Sequence, residues 1–544
     1  MKNKFYVPAF LLLIISLCIF ILLPFKAQTA GDDYFYAYSV KKTLATGHIQ
    51  ISEAATATSV FPIIWASLLS ALFGFSFETL HASTLFFLPI TSVTAFFLLR
   101  EFKVKSRMAL FGSIFFISIP FIFQYAFTFL TDFPFLALEM LSLLFLAKGL
   151  KSGSPKGLLL GSIVSSLAFL TRQVGIFIPI SAVVIYIFTA KNILISKKLI
   201  NIFAISVVPA IAVIFYIAVF REGTVSQHVM NKRVSEIISE LLFIKSLPIG
   251  METWLRIIYI CIEYIWQALG LFSLFAIAIV ASNIERYLTR KTLKPLTLSI
   301  FAFVCIVLLE KIIYQNKTFL GFPLVLYRYE SLYPMPWPNV WKYLVMITFL
   351  FLTTETFLNF HNLKISRTAM FLLTSCLLFL GSTALAGVDP KRYVMTLLPF
   401  FLIYLAVLSK KLKISGLIAI PILIFVLTDS LQMTKVRYDT NALAQQKALE
   451  LVNRGISIDR VLPNLEHTWS LWYTIEDKYN LELQKAGGDK LKVKYPLTPG
   501  NQDYLIVSKE NLRYGNLPQN YVLIEKTPFN SLFVSSYLLT VKKL

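Results

Sequence analysis

The feature that most constrains this chain is the recurrence of apolar runs, roughly 17 to 25 residues each, along most of its 544 residues. A run of that length matches the hydrocarbon thickness of a bilayer when it is helical. The chain therefore reads as a polytopic all-α membrane protein. Outer-membrane barrels are excluded, because their strands alternate in polarity and span only about ten residues. Composition agrees. Hydrophobic residues make up 57% of the chain and mean hydropathy is +0.70, whereas a soluble domain is about 45–50% apolar. The formal net charge of +22 would suggest a nucleic-acid partner in a soluble protein. Here the Lys and Arg residues cluster in short loops between apolar runs, as cytoplasmic loops do. Neither a zinc-finger nor an RNA-binding signature is present, so no nucleic-acid partner is expected. The four cysteines, Cys18, Cys261, Cys305 and Cys376, fall in apolar segments without metal or disulfide spacing and read as small buried hydrophobes.

Lys2 and Lys4 place the N-terminus in the cytoplasm, and the segment 6–24 is read as an uncleaved first span rather than a signal peptide. The first external loop covers about 26–79. The stretch around Phe61–Phe75 contains Pro62 and Gly74 and is read as interfacial. With that choice the basic loops "REFKVKSR", "KGLKSGSPKG", "KNILISKK", "ERYLTRKTLK", "HNLKISR" and "KKLK" all fall inside. About thirteen spans result. Composition turns polar after Thr428, so the reading divides the chain into a membrane domain, 1–429, and a small extracytoplasmic α/β domain, 430–544. Chemistry belongs at the outer boundary, in the cell membrane.

Four outer motifs carry the candidate residues. "GDDYFYAYSVKKTLATGH" holds Asp32 and Asp33 at a helix start, with Gly47 placed to end that helix and Tyr36, Val40 and Leu44 on one face. "FTFLTDFPFLALEML" holds Asp132 just before Pro134. Each carboxylate could be only a helix cap. Two carboxylate sites on one membrane side could also share base and orienting roles, or hold a divalent ion such as Mg or Mn between Asp33 and Asp132. "AFLTRQVGIFIPIS" holds Arg172 and Gln173 at the outer end of an apolar stretch, where an arginine either snorkels to lipid headgroups or has a functional partner. "GVDPKRYVMTLLPF" holds Lys391, Arg392 and Tyr393, and "VLYRYESLYPMPW" holds Arg328. A guanidinium suits phosphate recognition.

Carboxylates in two outer loops and cations in others suit a substrate with an apolar tail, a phosphate and a hydroxyl to be deprotonated. In these residues the chain resembles the C-type superfamily of integral membrane glycosyltransferases, and most closely its protein O-mannosyltransferase and aminoarabinose–lipid A transferase branch. The matching stretches are "GDDYFYAYSVKKTLATGHI", "FTFLTDFPFLAL", "LLGSIVSSLAFLTRQVGIFIPI" and "DPKRYVMTLLPFFLIYLAV", in order over roughly residues 1–410. The resemblance implies transfer of a hexose or pentose from a polyprenyl-phosphate donor to a hydroxyl of a lipid, glycan or protein acceptor, with inversion. It implies that Asp33, or Asp32, is the general base, that Asp132 assists it or helps hold a metal ion, and that Arg172 and Arg392 bind the donor phosphate. The chain departs from the branch before its interfacial helix, where "TSVFPIIW" lacks the usual lysine; Lys41, Lys42 or His48 are the candidates to replace that contact. Asn316 in "NKT" forms a glycosylation sequon on the expected outer side. The rival class is a transporter or lipid flippase, suggested by Glu139, Glu263, Glu310 and Glu355 in or near apolar segments. Against it stand the absence of an inverted repeat and of paired broken helices. A third class, a non-catalytic glycan-reading protein, leaves the four motifs unexplained.

Overall fold

The computed structural model describes residues 33–52, 57–190, 194–220, 247–287, 295–301, 338–359, 366–385, 393–456, 460–463, 504–508, 521–531 and 534–543, with a few isolated positions besides. Helix α1 is Asp33–Thr46 and α2 is Val60–Phe73. Next come α3, Phe77–Leu85, and α4, Phe87–Glu101; α5, Ser106–Ser118, and α6, Pro120–Ala126; then α7, Asp132–Ser152, and α8, Pro155–Thr171. A short 3-10 turn, Gln173–Ile176, leads into α9, Phe177–Thr189, and α10 is Ile195–Val219. Later in the chain lie α11, Leu247–Leu271, α12, Ser273–Ala281, and α13, Ile284–Tyr287. They are followed by α14, Pro338–Asn359, α15, Arg367–Leu385, α16, Leu398–Leu408, and α17, Gly416–Asn453.

The protein is thus a mostly helical, polytopic membrane protein. Among the described residues five helices are long and apolar enough to cross a bilayer, or seven if each of two bent pairs is one span. Of the roughly thirteen spans expected, the first, 6–24, lies outside the described residues. Helix α2 has 14 residues and is about 21 Å long, short of a bilayer core of about 30 Å. Large apolar side chains face outward where lipid would lie, as on α10 (Leu199, Phe203, Ile211, Ile214) and the start of α17 (Leu417, Ile420, Ile424).

Helices α7 and α8 form the tightest hairpin, and glycine makes it possible. A Cβ on Gly161 would stand 2.6 Å from Leu146 Cγ, and one on Gly149 would stand 2.8 Å from the Leu158 backbone nitrogen. Small residues let membrane helices touch backbone to backbone, where no hydrophobic force between helices is available. The Ser142 hydroxyl donates to Gly161 O at 3.0 Å across the same contact. Because the pair is antiparallel, the start of α7 and the end of α8 lie at one level. Asp132 and Arg172 are the residues at those two ends.

Helices α5 and α6 form one bent element, turned by 65° at Ile119 and Pro120. The bend follows from Pro120, which donates no backbone hydrogen bond. Helix α17 packs along this element through Val426, Ser430, Thr434 and Tyr438, one buried residue per turn. The Ser430 hydroxyl donates to Ser118 O at 2.5 Å, and the Tyr438 hydroxyl donates to Phe127 O at 2.6 Å. One carbonyl at the bend and one just past the end of α6 are thereby satisfied. The expected domain boundary at 429/430 falls inside α17, which continues without interruption to Asn453.

The small sheet predicted at the C-terminal end is present, in the order β1-β2-β4-β3. Its strands are β1, Val461–Pro463, β2, Tyr504–Ser508, β3, Tyr521–Ser531, and β4, Val534–Lys543. The β1–β2 pair is parallel, and β2–β4 and β3–β4 are antiparallel. Adjacent residues of β2 face opposite ways, as strand geometry requires. Ile506 packs with Val461 and Leu538 on Ala444, Ala448 and Leu451 of α17. Leu505 packs with Val541 on Tyr36, Val40 and Ala66 of the first-loop helices. The sheet therefore lies between α17 and the segment that begins at Asp33.

Candidate active site

Asp33 is the first residue of α1 and is fully buried. The helix ends as expected, with Gly47 in the left-handed region at φ 70° and its N–H donating to Thr43 O at 2.9 Å. Tyr36 and Val40 are buried; Leu44, on the same face, is exposed. The Asp33 carboxylate does more than start a helix. Its Oδ2 accepts a hydrogen bond from the Phe129 backbone N–H, 3.2 Å away and 96 residues along the chain. Phe129 lies in the short connection that delivers Asp132, so the first two acidic motifs meet through one backbone amide.

Asp132 opens α7, but Thr131 and not Asp132 stands at the cap position, and the Thr131 side chain makes no capping bond. The Asp132 carboxylate instead accepts from Arg172 Nη1 in a buried ion pair. Arg172 is 6% exposed, so it does not snorkel to the lipid surface. It sits where α8 breaks. Its backbone is extended at φ −147°, its N–H donates to Ala168 O at 2.8 Å, and its carbonyl accepts from Gly175 N at 2.9 Å. Gly175 lets the chain double back: a Cβ there would stand 2.5 Å from Phe169 N and 2.6 Å from the Ala168 carbonyl carbon. The guanidinium also lies over the Tyr393 ring, 4.6 Å from its centroid. A third contact comes from the first loop, where Thr58 Oγ1 donates to Phe169 O at 2.6 Å and Ser59 N–H donates to Thr171 O at 3.2 Å. Ser59 adopts φ 58°, a left-handed conformation that non-glycine residues seldom take.

Asp33, Asp132, Arg172 and Tyr393, drawn from four separate sequence motifs, are therefore linked by direct contacts or through Phe129. Gln173 is exposed at the start of the 3-10 turn. Asp32, Arg328, Lys391, Arg392 and Asn316 lie outside the described residues. Lys41 and His48 are exposed, and Lys42 lies over the Tyr38 ring at 5.3 Å. No group of three or more His, Cys, Asp or Glu side chains suited to a metal ion occurs among the described residues. Asp132 is already matched to a guanidinium, an arrangement that suits an ion pair and not a divalent-ion cage between Asp33 and Asp132.

Two further side chains at this level, His81 and Tyr438, were not singled out by the sequence reading. Their rings stack with centroids 6.2 Å apart and planes within 4°. Of the four glutamates that suggested a transporter, Glu355 accepts from Tyr287 and Arg286 and Glu263 accepts from Gln267. Glu139 is fully buried with no hydrogen-bond partner at either oxygen among the described residues, and Glu310 lies outside them.

The fold and site define a class: a polytopic membrane protein with a buried acidic and cationic cluster at one end of its helical bundle. Comparison with known proteins narrows it. Residues 60–217 match the family model described as dolichyl-phosphate-mannose-protein mannosyltransferase, so the family resemblance read from the motifs holds over this segment. It contains Asp132 and Arg172; Asp33 and Tyr393 lie outside it. Among solved structures the chain aligns with ArnT from Cupriavidus metallidurans bound to undecaprenyl phosphate, at 11% identity over 98% of each chain with a TM-score of 0.38. It also aligns with the Archaeoglobus fulgidus oligosaccharyltransferase tethered to an acceptor peptide containing the NVT sequon. That alignment has 13% identity, 73% of this chain and 55% of the other, and a TM-score of 0.26. These superpositions are loose, and the family match over 60–217 carries the comparison. Among curated proteins none matches the chain.

Proposed function

We propose that the protein is a membrane glycosyltransferase that moves a sugar from a polyprenyl-phosphate donor to an acceptor hydroxyl at the outer face of the cell membrane. The observation that carries this reading is the meeting of Asp33 with the Asp132–Arg172–Tyr393 group through the Phe129 amide. In the proposed reaction the acceptor oxygen attacks the anomeric carbon opposite the phosphate. The bond from that carbon to the phosphate oxygen breaks, and its electron pair leaves with the phosphate. Asp33 takes the acceptor proton and returns it to water. The Phe129 N–H holds the Asp33 carboxylate in place, and burial keeps competing water away. Arg172 stabilises the charge that develops on the leaving phosphate, Asp132 and the Tyr393 face fix the direction of its fork, and Arg392 is assigned to the same phosphate. Inversion follows from the single displacement that the family resemblance implies. The same reading assigns about thirteen spans, a cytoplasmic N-terminus, and an extracytoplasmic unit comprising the end of α17 and the sheet.

The rival reading, a transporter or flippase, has Glu139 in its favour, because a carboxyl buried without a partner often marks a proton or ion path. It gives no role to the linked site two turns away, at the start of α7.

The test is transfer by the purified protein in native lipid from a panel of polyprenyl-phosphate sugars, with Asp33→Asn as the variant. A loss of about a hundredfold, or about 2.7 kcal/mol of transition-state stabilisation, with folding intact supports the base assignment. Undiminished transfer by Asp33→Asn refutes it. No transfer by wild type from any donor, together with proton flux or lipid scrambling in vesicles, replaces the enzyme with the transporter.

A further inference from the structure

The end of the bundle away from Asp33 and Arg172 carries a cavity that the mechanism above does not use. Contacts fix which end this is. Lys151, near the end of α7, pairs with Glu101 at the end of α4 at 2.5 Å. Arg367, at the start of α15, donates to Leu150 O at 3.2 Å. Asp132 opens α7 at the opposite end. Between α15, α16 and the residue that follows α4 lies a cavity of about 350 Å³. Its walls run from Phe102, Ala369 and Val407 inward to Cys376 and Phe400. One turn of helix advances 5.4 Å, so these positions on α15 and α16 give it a length of about 10 Å along the bundle. Phe400 is buried, whereas Leu373 and Tyr404 at the rim are exposed. The cavity therefore opens sideways, where lipid chains would lie.

An apolar slot in a membrane protein selects no particular lipid. The charges at its mouth do. Lys103 follows Phe102 directly, and Lys410 lies one turn past Val407, in the 3-10 turn Ser409–Lys411. Both lysines are exposed, as are Lys105, Arg107 and Lys413 in the same two loops. None of the five makes an ion pair among the described residues. The carboxylates nearby are already matched: Glu101 by Lys151, and Glu355, next to the Thr356 that bonds Tyr404, by Arg286 and Tyr287. Lys103 is also conformationally unusual. It stands at φ 62° in the turn that closes α4, where its N–H donates to Arg100 O at 3.0 Å and the Val104 N–H donates to Leu99 O at 3.2 Å. Glycine takes such a position without strain. A lysine there keeps a cation beside the cavity at a conformational cost.

We propose that this cavity holds an acyl chain of an anionic glycerophospholipid from the leaflet at that end, with Lys103 and Lys410 binding its phosphate. The topology reading places that leaflet on the cytoplasmic side, where basic pockets between membrane helices take anionic headgroups. The site lies apart from the donor phosphate, which is assigned to Arg172 at the other end of the bundle, and it exists whether or not the protein transfers a sugar.

The experiment uses the full chain in phosphatidylcholine nanodiscs with a trace of phosphatidylglycerol that carries a diazirine in its acyl chain. Adducts formed on illumination are mapped by peptide mass spectrometry, and a matched phosphatidylcholine probe is the control. The anionic probe is expected to label 369–376 and 400–407 well above the control, with each lysine contributing about fivefold. Lys103→Gly and Lys410→Gln should each lower the excess by about that factor. Lys103→Gly, relieved of the left-handed strain, should fold at least as stably as wild type. Ala369→Trp fills the cavity and should abolish labelling of 400–407 with both lysines in place; if it does not fold, the lysine variants carry the comparison. Equal labelling by the two probes, which marks bulk lipid contact only, overturns the proposal. So does an excess that both lysine variants leave unchanged, an absence of adducts in these segments, or displacement of the probe by undecaprenyl phosphate and not by unlabelled phosphatidylglycerol. Failure of sugar transfer would count against Asp33 and Arg172 and leave the labelling result standing.

Discussion

Removing one member of the Asp132–Arg172 pair and then both separates a structural pair from a functional one. Both side chains are nearly inaccessible, at 1% and 7% side-chain exposure. Asp132→Ala removes the Asp132 carboxylate from a buried guanidinium, and Arg172→Met removes the guanidinium from a buried carboxylate. Breaking a buried pair from one side costs about 3–5 kcal/mol, whereas replacing both partners with groups of similar volume is often neutral or stabilising. The Tyr393 face, 4.6 Å from the guanidinium centre, offsets part of the Asp132→Ala loss, by about 0.5–2 kcal/mol. Each single change is expected to cost about 2–5 kcal/mol: the Tyr393 face shelters a stranded guanidinium, which cannot lose its charge, and a stranded Asp132 is relieved by taking up a proton. The double variant Asp132→Leu with Arg172→Met is expected within about 1 kcal/mol of wild type, a coupling energy of several kcal/mol. Unfolding in lipid nanodiscs, followed by tryptophan fluorescence against denaturant, measures all four corners. Transfer should be lost in every variant that lacks Arg172, including the stable double variant. Losses that simply add, with no recovery in the double variant, would refute the reasoning, because the two charges would then not be each other's partners.

Two further outcomes follow from the packing around the site. Gly175→Ala forces the backbone at Phe169 and Ala168 to move, since its Cβ would stand 2.5–2.6 Å from them; it should lower stability by about 1–3 kcal/mol and reduce transfer more than tenfold by swinging Arg172 away from Asp132, read from kcat/KM beside an unfolding curve. Arg367 donates to Leu150 O at 3.2 Å and Thr189 O at 3.0 Å and lies over the Tyr186 ring, joining the ends of α7 and α9. Arg367→Ala should therefore lower stability by about 1.5–3 kcal/mol and leave kcat/KM of the folded fraction unchanged, which unfolding and transfer assays on one preparation would show.

The site was legible in the sequence only in part, for reasons that lie in the backbone. Asp33, Asp132, Arg172 and Tyr393 could each be singled out, because a charged or polar group at the end of an apolar run stands out by contrast. That Asp132 and Arg172 satisfy one another could not be read from contrast. It depends on α7 and α8 lying flush, and that depends on Gly149 and Gly161. His81 was invisible because a lone histidine at the very start of the apolar run "HASTLFFLPITSVTAFFLL" breaks no pattern. Tyr438 was assigned to the far side of a boundary. Hydropathy does fall after Thr428, but hydropathy reports solvent and not backbone continuity. Alanine, glutamine, lysine and leucine keep the helix going through "TNALAQQKALELVN". The sheet was expected from polar, mixed patterning; its seat between α17 and the first loop came only from the two faces of β2.

Helix α17 also has a meaning for how the molecule is made. Phe127 and Tyr438 are 311 residues apart in the chain, and Ser118 and Ser430 are 312 apart. Translation delivers the first loop, the bent pair and the α7–α8 hairpin long before α17, whose hydroxyls donate to the Ser118 carbonyl at the bend and the Phe127 carbonyl just past α6. Until residue 438 has left the ribosome, the Ser118 and Phe127 carbonyls lack these donors. The closing strands, whose Leu505 and Val541 pack on Tyr36 and Val40, come later still. A chain that stops early, or whose last helix fails to insert, carries Asp33 and Arg172 but not the frame around them. Assembly of the site thus waits on segments more than 300 residues downstream of the bent pair, so a chain that has made only α7 and α8 holds the Asp132–Arg172 pair without the Tyr438 hydroxyl that anchors the connection leading to it.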